Sequence, residues 1–158
     1  MRNPARPSPT CRPPWTRVWL SNALGACALM STSCSSPAAT PAGPAVFSAD
    51  AYTTVISNSG GLVLAVRTFP QPPGVGADEV QLTVTSSSDG SGVDGLTLAV
   101  EPWMPAMGHG TSTPTVTPQG NGVYLVTDVY LYMQGLWALR TTVSGPMSDY
   151  AAPQLEIQ

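Results

Sequence analysis

The sequence predicts an all-β domain: a single immunoglobulin-like antiparallel β-sandwich of six to seven strands, behind a leader and linker expected to be disordered. Three observations carry that expectation. From Tyr52 onward the apolar residues recur with period two rather than 3.6, the repeat of strands half-buried against a core. Gly (15) and Pro (17) are abundant and charged residues make up only 9% of the chain, a balance that favours short strands and many turns over long helices. No extended stretch is free of Gly, Pro or β-formers, so no helix is expected. A small closed barrel is the alternative arrangement of the same strands.

The strands read in order. Leu62, Leu64 and Val66 alternate with Val63, Ala65 and Arg67. Val80, Leu82 and Val84 alternate with Gln81, Thr83 and Thr85, and Leu96, Leu98 and Val100 repeat the pattern. Further on, Val123, Leu125, Thr127, Val129 and Leu131 alternate with Tyr124, Val126, Asp128, Tyr130 and Tyr132. The run from Leu136 to Val143 places Trp137, Leu139 and Val143 on one face, with Arg140 and Thr142 on the other. Between these runs lie turn formers. Phe69-Pro70-Gln71-Pro72-Pro73-Gly74 cannot continue a ladder. Ser86 to Gly95 is rich in Ser, Asp and Gly, Gln119-Gly120-Asn121-Gly122 is a tight-turn signal, and Met133-Gln134-Gly135 joins the last two strong runs. The segment Asp89–Asp94 lacks the spacing and terminal Glu of a calcium loop and reads as a plain turn.

Ahead of the domain, residues 1–17 carry four arginines and no acid, and residues 18–30 form a short apolar stretch. Basic, apolar, then small residues is the order of a secretory signal, and the stretch is too short for a stable spanning helix. It resembles a bacterial lipoprotein signal, which ends on an acylated cysteine. Cys27 follows Leu24-Gly25-Ala26, the better local sequence. Cys34 follows Ser31-Thr32-Ser33, ends the whole apolar stretch and is favoured by the Ser-Ser-Pro after it. Residues 1–34 are thus read as a signal peptide with a lipoprotein-like cysteine, 35–46 as a Pro/Ala/Ser linker, and 47–158 as the domain. Export to the cell envelope, with a lipid holding the chain to a membrane, is the expectation. All three cysteines lie before residue 35, so the domain carries no disulfide framework and no cysteine-based metal or redox site.

Charge narrows the partners. The chain has no lysine, and only Arg67 and Arg140 follow the leader, against nine acids, a net −7 for the mature part. Nucleic acid, which needs clustered basic residues, is excluded as a partner. The single histidine argues against a Ser-His-Asp triad, and no glycosidase-like acid pair or phosphate-binding glycine motif stands out. The chain reads as a non-enzyme.

The informative segment is Glu101-Pro102-Trp103-Met104-Pro105-Ala106-Met107-Gly108-His109-Gly110. It holds the only histidine and two of the six methionines, and it reads as a loop on a rigid scaffold. Together with Pro114, Gly120-Asn121-Gly122-Val123-Tyr124 and Met133-Gln134-Gly135-Leu136-Trp137, it resembles the YtkA-like domain over roughly residues 60–143. That family is related to FixH-type envelope proteins. The resemblance implies a small exported or lipid-anchored β-sandwich. Through the FixH-type relatives, it also implies an association with cation pumping and the assembly of copper oxidases. Those relatives carry a transmembrane helix near the N-terminus, where this chain has a leader-like segment.

The chemistry of the segment is independent of that resemblance. Thioether sulfur is soft and prefers Cu(I), and imidazole suits copper in both oxidation states. Met104, Met107 and His109 are the candidate ligands, with Met133 a fourth if its turn lies at the same end. Trp103 or Trp137 is the candidate to cover a bound cation by a cation–π contact. Two plainer readings stay open beside this one. In the first, Met and Trp plug the end of the sandwich as core fillers. In the second, the domain is a protein-interaction module whose loop and strand edges dock on an envelope partner, with Tyr124, Tyr130 and Tyr132 presented on one strand face.

Overall fold

The computed structural model describes residues 44–158. Cys27, Cys34 and nearly all of the linker lie outside the described residues. Within them, ten strands follow one another: β1 Thr53–Ile56, β2 Leu62–Phe69, β3 Gly76–Ser86, β4 Thr97–Met104, β5 His109–Gly110, β6 Thr115–Gly120, β7 Val123–Leu131, β8 Gly135–Ser144, β9 Asp149–Ala151 and β10 Gln154–Ile157. They form two antiparallel sheets, β1-β2-β3-β7-β6 and β10-β8-β4-β5, with β9 also paired to β8. The predicted sandwich is present. The strands beyond the expected six or seven are mostly short edge pieces, β1, β5, β9 and β10, whose two to four residues are too few to establish a periodicity.

The alternation read from the sequence is the alternation of the core. Leu62, Leu64 and Val66 from β2, Val80, Leu82 and Val84 from β3, Leu98 and Val100 from β4, and Trp137, Leu139 and Val143 from β8 are all buried. They form one cluster between the sheets, with Leu155 and Ile157 of β10 closing one side. Burial of this kind supplies roughly 1.5–3 kcal/mol per large apolar side chain, the main force holding the sheets together.

β7 departs from the expected pattern. Tyr124 and Val126 face the core, and then Val129 and Leu131 do, so the inward face switches parity within the strand. The cause is a bulge. On β3 the pairing steps from Asp78 to Val80 while on β7 it steps from Val129 to Val126. Asp128 takes up the extra residue with φ of 64°, a left-handed conformation that Asp tolerates better than most residues. The three tyrosines therefore do not share one exposed face. Tyr124 is buried. Tyr130 and Tyr132 lie outside, stacked with ring centroids 5.9 Å apart.

Tyr124 ties the sheets together. Its hydroxyl accepts from the Leu96 amide at 3.2 Å and donates to the Val93 carbonyl at 3.0 Å. Tyr124→Phe would leave both backbone groups without that partner, and the expected loss is about 1–3 kcal/mol, read as a lower urea midpoint with an unchanged slope. At the same end, Asp94 accepts the Asn121 and Gly122 amides, at 3.1 and 2.8 Å, and so pins the β6–β7 turn. Asp89 bonds its neighbour Ser91 through both amide and hydroxyl, as a plain turn does.

A second clasp joins the β1–β2 turn to β9. Asp149 accepts from the Ser59 amide and hydroxyl and from the Tyr150 amide. Partial burial pushes its pKa up, but hydrogen bonds from Ser57, Ser59 and Tyr150 outweigh it and hold the carboxyl at about 2. The Asn58 amide adds a bond to the Tyr150 carbonyl.

Candidate functional site

The segment expected to be a loop is in large part a hairpin. β4 continues through Pro102 and Trp103 to Met104, and β5 returns with His109 and Gly110. Proline inside a strand is tolerated here because of the ladder phase. The Leu139 amide points away from β4, to the Pro153 carbonyl, and the Pro102 carbonyl points away from β8, to the Thr111 amide. Pro102 and Leu139 thus face each other as a non-hydrogen-bonded pair, and the missing N–H costs no bond to β8. Only Pro105–Gly108 is turn. The amides of Met107 and Gly108 both donate to the Met104 carbonyl, at 3.1 and 3.0 Å, and Gly108 supplies the left-handed residue, φ 68°.

The hairpin places the candidate donors as follows. Met104 and His109 are directly opposed in the β4–β5 register. Opposed residues project to the same side of a sheet with Cβ atoms about 4.5–5.5 Å apart. Met104 is a core residue, 6% exposed, whereas Met107 at the turn is 59% exposed. His109 is exposed, with Nδ1 3.4 Å from the Gly110 carbonyl oxygen. Met133 packs half-buried against the core. It lies in the β7–β8 turn, and because β8 begins where β4 ends, that turn is at the same end of the sandwich as the hairpin. The contact is close: a Cβ on Gly135, two residues from Met133, would come within 2.9 Å of the Met104 methyl. Gly135 thus makes room for Met104, and its φ of 122° suits glycine. The structure therefore brings Met104, His109 and the Met133 turn to one end, with Met107 at the tip.

Neither tryptophan is free to cover a cation from solvent. Trp137 is fully buried and its indole N–H donates to the Met133 carbonyl at 2.9 Å. It is the floor beneath the turn. Trp103 is half-buried, and its ring already carries a cation, the Arg140 guanidinium at 3.8 Å from the centroid. Arg140 also reaches Glu101, its cross-strand partner, at 3.6 Å. Among the described residues there is no group of three or more His, Cys, Asp and Glu placed to hold a metal. The candidate donors carried by the hairpin and the Met133 turn are thioether sulfurs and one imidazole.

One polar residue of the core is not among those the sequence singles out. Asp78 is in phase with Val80, Leu82 and Val84, and it is 4% exposed. Its Oδ2 has no hydrogen-bond partner, nor has the buried Oγ1 of Thr68 on the adjacent strand. Burial pushes the Asp78 carboxyl up to about 6, against the opposing effect of the Gly74 amide bonded to it. Between pH about 4 and 6 the folded chain keeps a proton that the unfolded chain releases. Stability therefore falls as pH rises through that window, by at most about 3 kcal/mol. Asp78→Asn should remove the fall. At pH 7.5 the variant is expected to be more stable by about 1–3 kcal/mol, with the gain vanishing below about pH 4, as read by urea denaturation at both pH values.

No curated protein and no solved structure matches the chain. A family model does, that of the YtkA-like family, over residues 63–142. The match begins in β2, includes the Met/His hairpin and the Met133-Gly135 turn, and ends in β8. It covers just over half of the 158 residues, and the chain belongs to the YtkA-like family.

Proposed function

We propose that this domain is a non-catalytic envelope module that holds Cu(I) at the hairpin end of its sandwich, exported and lipid-anchored through Cys34 or Cys27. One observation supports it above the others: the cross-strand opposition of Met104 and His109, with the Met133 turn packed against the Met104 methyl. Met107 and His109 are the solvent-facing donors that meet the ion first. Met104 and Met133 are the sulfurs behind them, held by the core. A donor set of thioethers and one imidazole, without a carboxylate or thiolate, selects Cu(I) over Zn(II). Copper is cargo in this reading, taken up and released at an exposed turn.

The test is a Cu(I) titration in competition with a chromophoric chelator, on the protein and on a Met107→Ala/His109→Ala double variant. One equivalent withdrawn by the protein and none by the variant is the expected pair of results. Full affinity in the variant would overturn the assignment.

A further inference from the structure

The β2–β3 loop, the β4–β5 turn and the β7–β8 turn all project from one end of the sandwich, because β2, β4 and β7 end there and β3, β5 and β8 begin there. Among the described residues eight large hydrophobic side chains are exposed, and six of them surround this end: Val46, Phe69, Val75, Met107, Tyr132 and Leu136. Only Ile56 and Met147 lie at the other end. Apolar side chains gathered at one end, rather than scattered singly, are the kind of surface that contact faces use.

The chain also enters the domain at this end. Phe47, directly after the linker, packs edge-on against Phe69, with ring centroids 6.4 Å apart. The Ala49 carbonyl oxygen lies 3.3 Å from both Nε and Nη2 of Arg67, and the Gln71 side chain bonds the Asp50 carbonyl at 3.1 Å. A linker fixed there directs the hydrophobic end toward whatever the linker is anchored to. Resting on the lipid-anchor reading above, we propose that this end docks on the bilayer interface. Tyr132, stacked on Tyr130, and Phe69 would enter the headgroup layer, where amphipathic rings are favoured. The Met/His hairpin would then face the membrane surface. Glu79 and Asp128 flank Phe69 and Tyr130 in a shallow depression on this face, so neutral headgroups suit it better than anionic ones.

The experiment uses the acylated full chain, isotopically labelled and reconstituted into phosphatidylcholine nanodiscs that carry a gadolinium headgroup lipid. Amide relaxation enhancement at Val75, Met107 and Tyr132 is expected to exceed that at Ile56 and Met147 severalfold. A Val75→Ser/Tyr132→Ser variant, altered at exposed positions that leave the Phe47–Phe69 contact in place, should abolish the difference. Equal enhancement at both ends would overturn the proposal. So would a bias that survives in the variant, since the linker's attachment alone would explain it. Mass spectrometry of the same sample tests the anchor separately. If no acyl group is present, the anchor reading fails. The chain added to the nanodiscs then still decides the docking face by the same comparison.

Discussion

Trp137→Ala is expected to lower the stability of the domain by about 3–5 kcal/mol, the range for truncating a large aromatic in a packed core. Trp137 is among the largest side chains with no exposure, and it lies where β8 starts, beneath the β7–β8 turn. Alanine removes its apolar contacts and also the indole donor that satisfies the Met133 carbonyl, so the loss combines a cavity with an unpaired acceptor. A domain of this size has about 5–15 kcal/mol in total, and a shift of this magnitude is a large fraction of it. Trp137→Phe should recover part of the packing but not the hydrogen bond. The difference between the two variants, measured by urea denaturation, gives the packing that the phenyl ring restores, and the shortfall of Trp137→Phe from the parent contains what the indole N–H contributes. A Phe variant as stable as the parent would show that the Met133 carbonyl does not need that donor.

Loss of the proposed Cu(I) affinity is the second large expected effect. Removing Met107 and His109 together deletes both solvent-facing donors while touching no core contact, so folding should be unchanged and affinity lost. Changes to groups that merely support metal ligands cost about 10–100-fold in affinity, and deleting two ligands should exceed that. The single variants separate the donors. His109→Ala removes the only imidazole and leaves any binding to the thioethers alone. Met107→Ala leaves the imidazole and is expected to weaken binding through the loss of one sulfur. Met104→Leu keeps the core filled, so reduced affinity with normal stability would assign the Met104 sulfur to the metal rather than to packing alone.

Much of the core is legible in the amino-acid sequence. Period-two alternation in β2, β3, β4 and β8 states directly which side chains meet between the sheets, because a one-residue slip would expose all of them. The alternation in β7 misleads for the same reason: Asp128 adds a residue, and every side chain after it changes face. Nothing local in Thr127-Asp128-Val129 announces a bulge. Pro102 and Pro105 hide the hairpin of Trp103–Gly110, because prolines read as loop signals. The ladder phase that makes Pro102 harmless depends on partners in other segments, Leu139 on β8 and Thr111 beyond β5. The candidate donors are identifiable by type, and the structure adds their arrangement. Met104 and His109 face each other, Met133 belongs to the same end, Trp137 is a floor, and Trp103 carries the guanidinium of Arg140. Asp78 shares the phase of Val80, Leu82 and Val84, but reading it as a core residue requires accepting a carboxylate in an apolar position. Burial of an unpaired carboxylate is costly, so the pattern alone gives no reason to expect it.

X-ray absorption at the copper edge of the Cu(I)-loaded protein reads the ligand set of the hairpin site itself. The expected first shell contains both sulfur and imidazole nitrogen, with the sulfur contribution reduced in Met107→Ala and the imidazole signature absent in His109→Ala. A shell of nitrogen and oxygen alone, unchanged in both variants, would contradict a Met/His copper site.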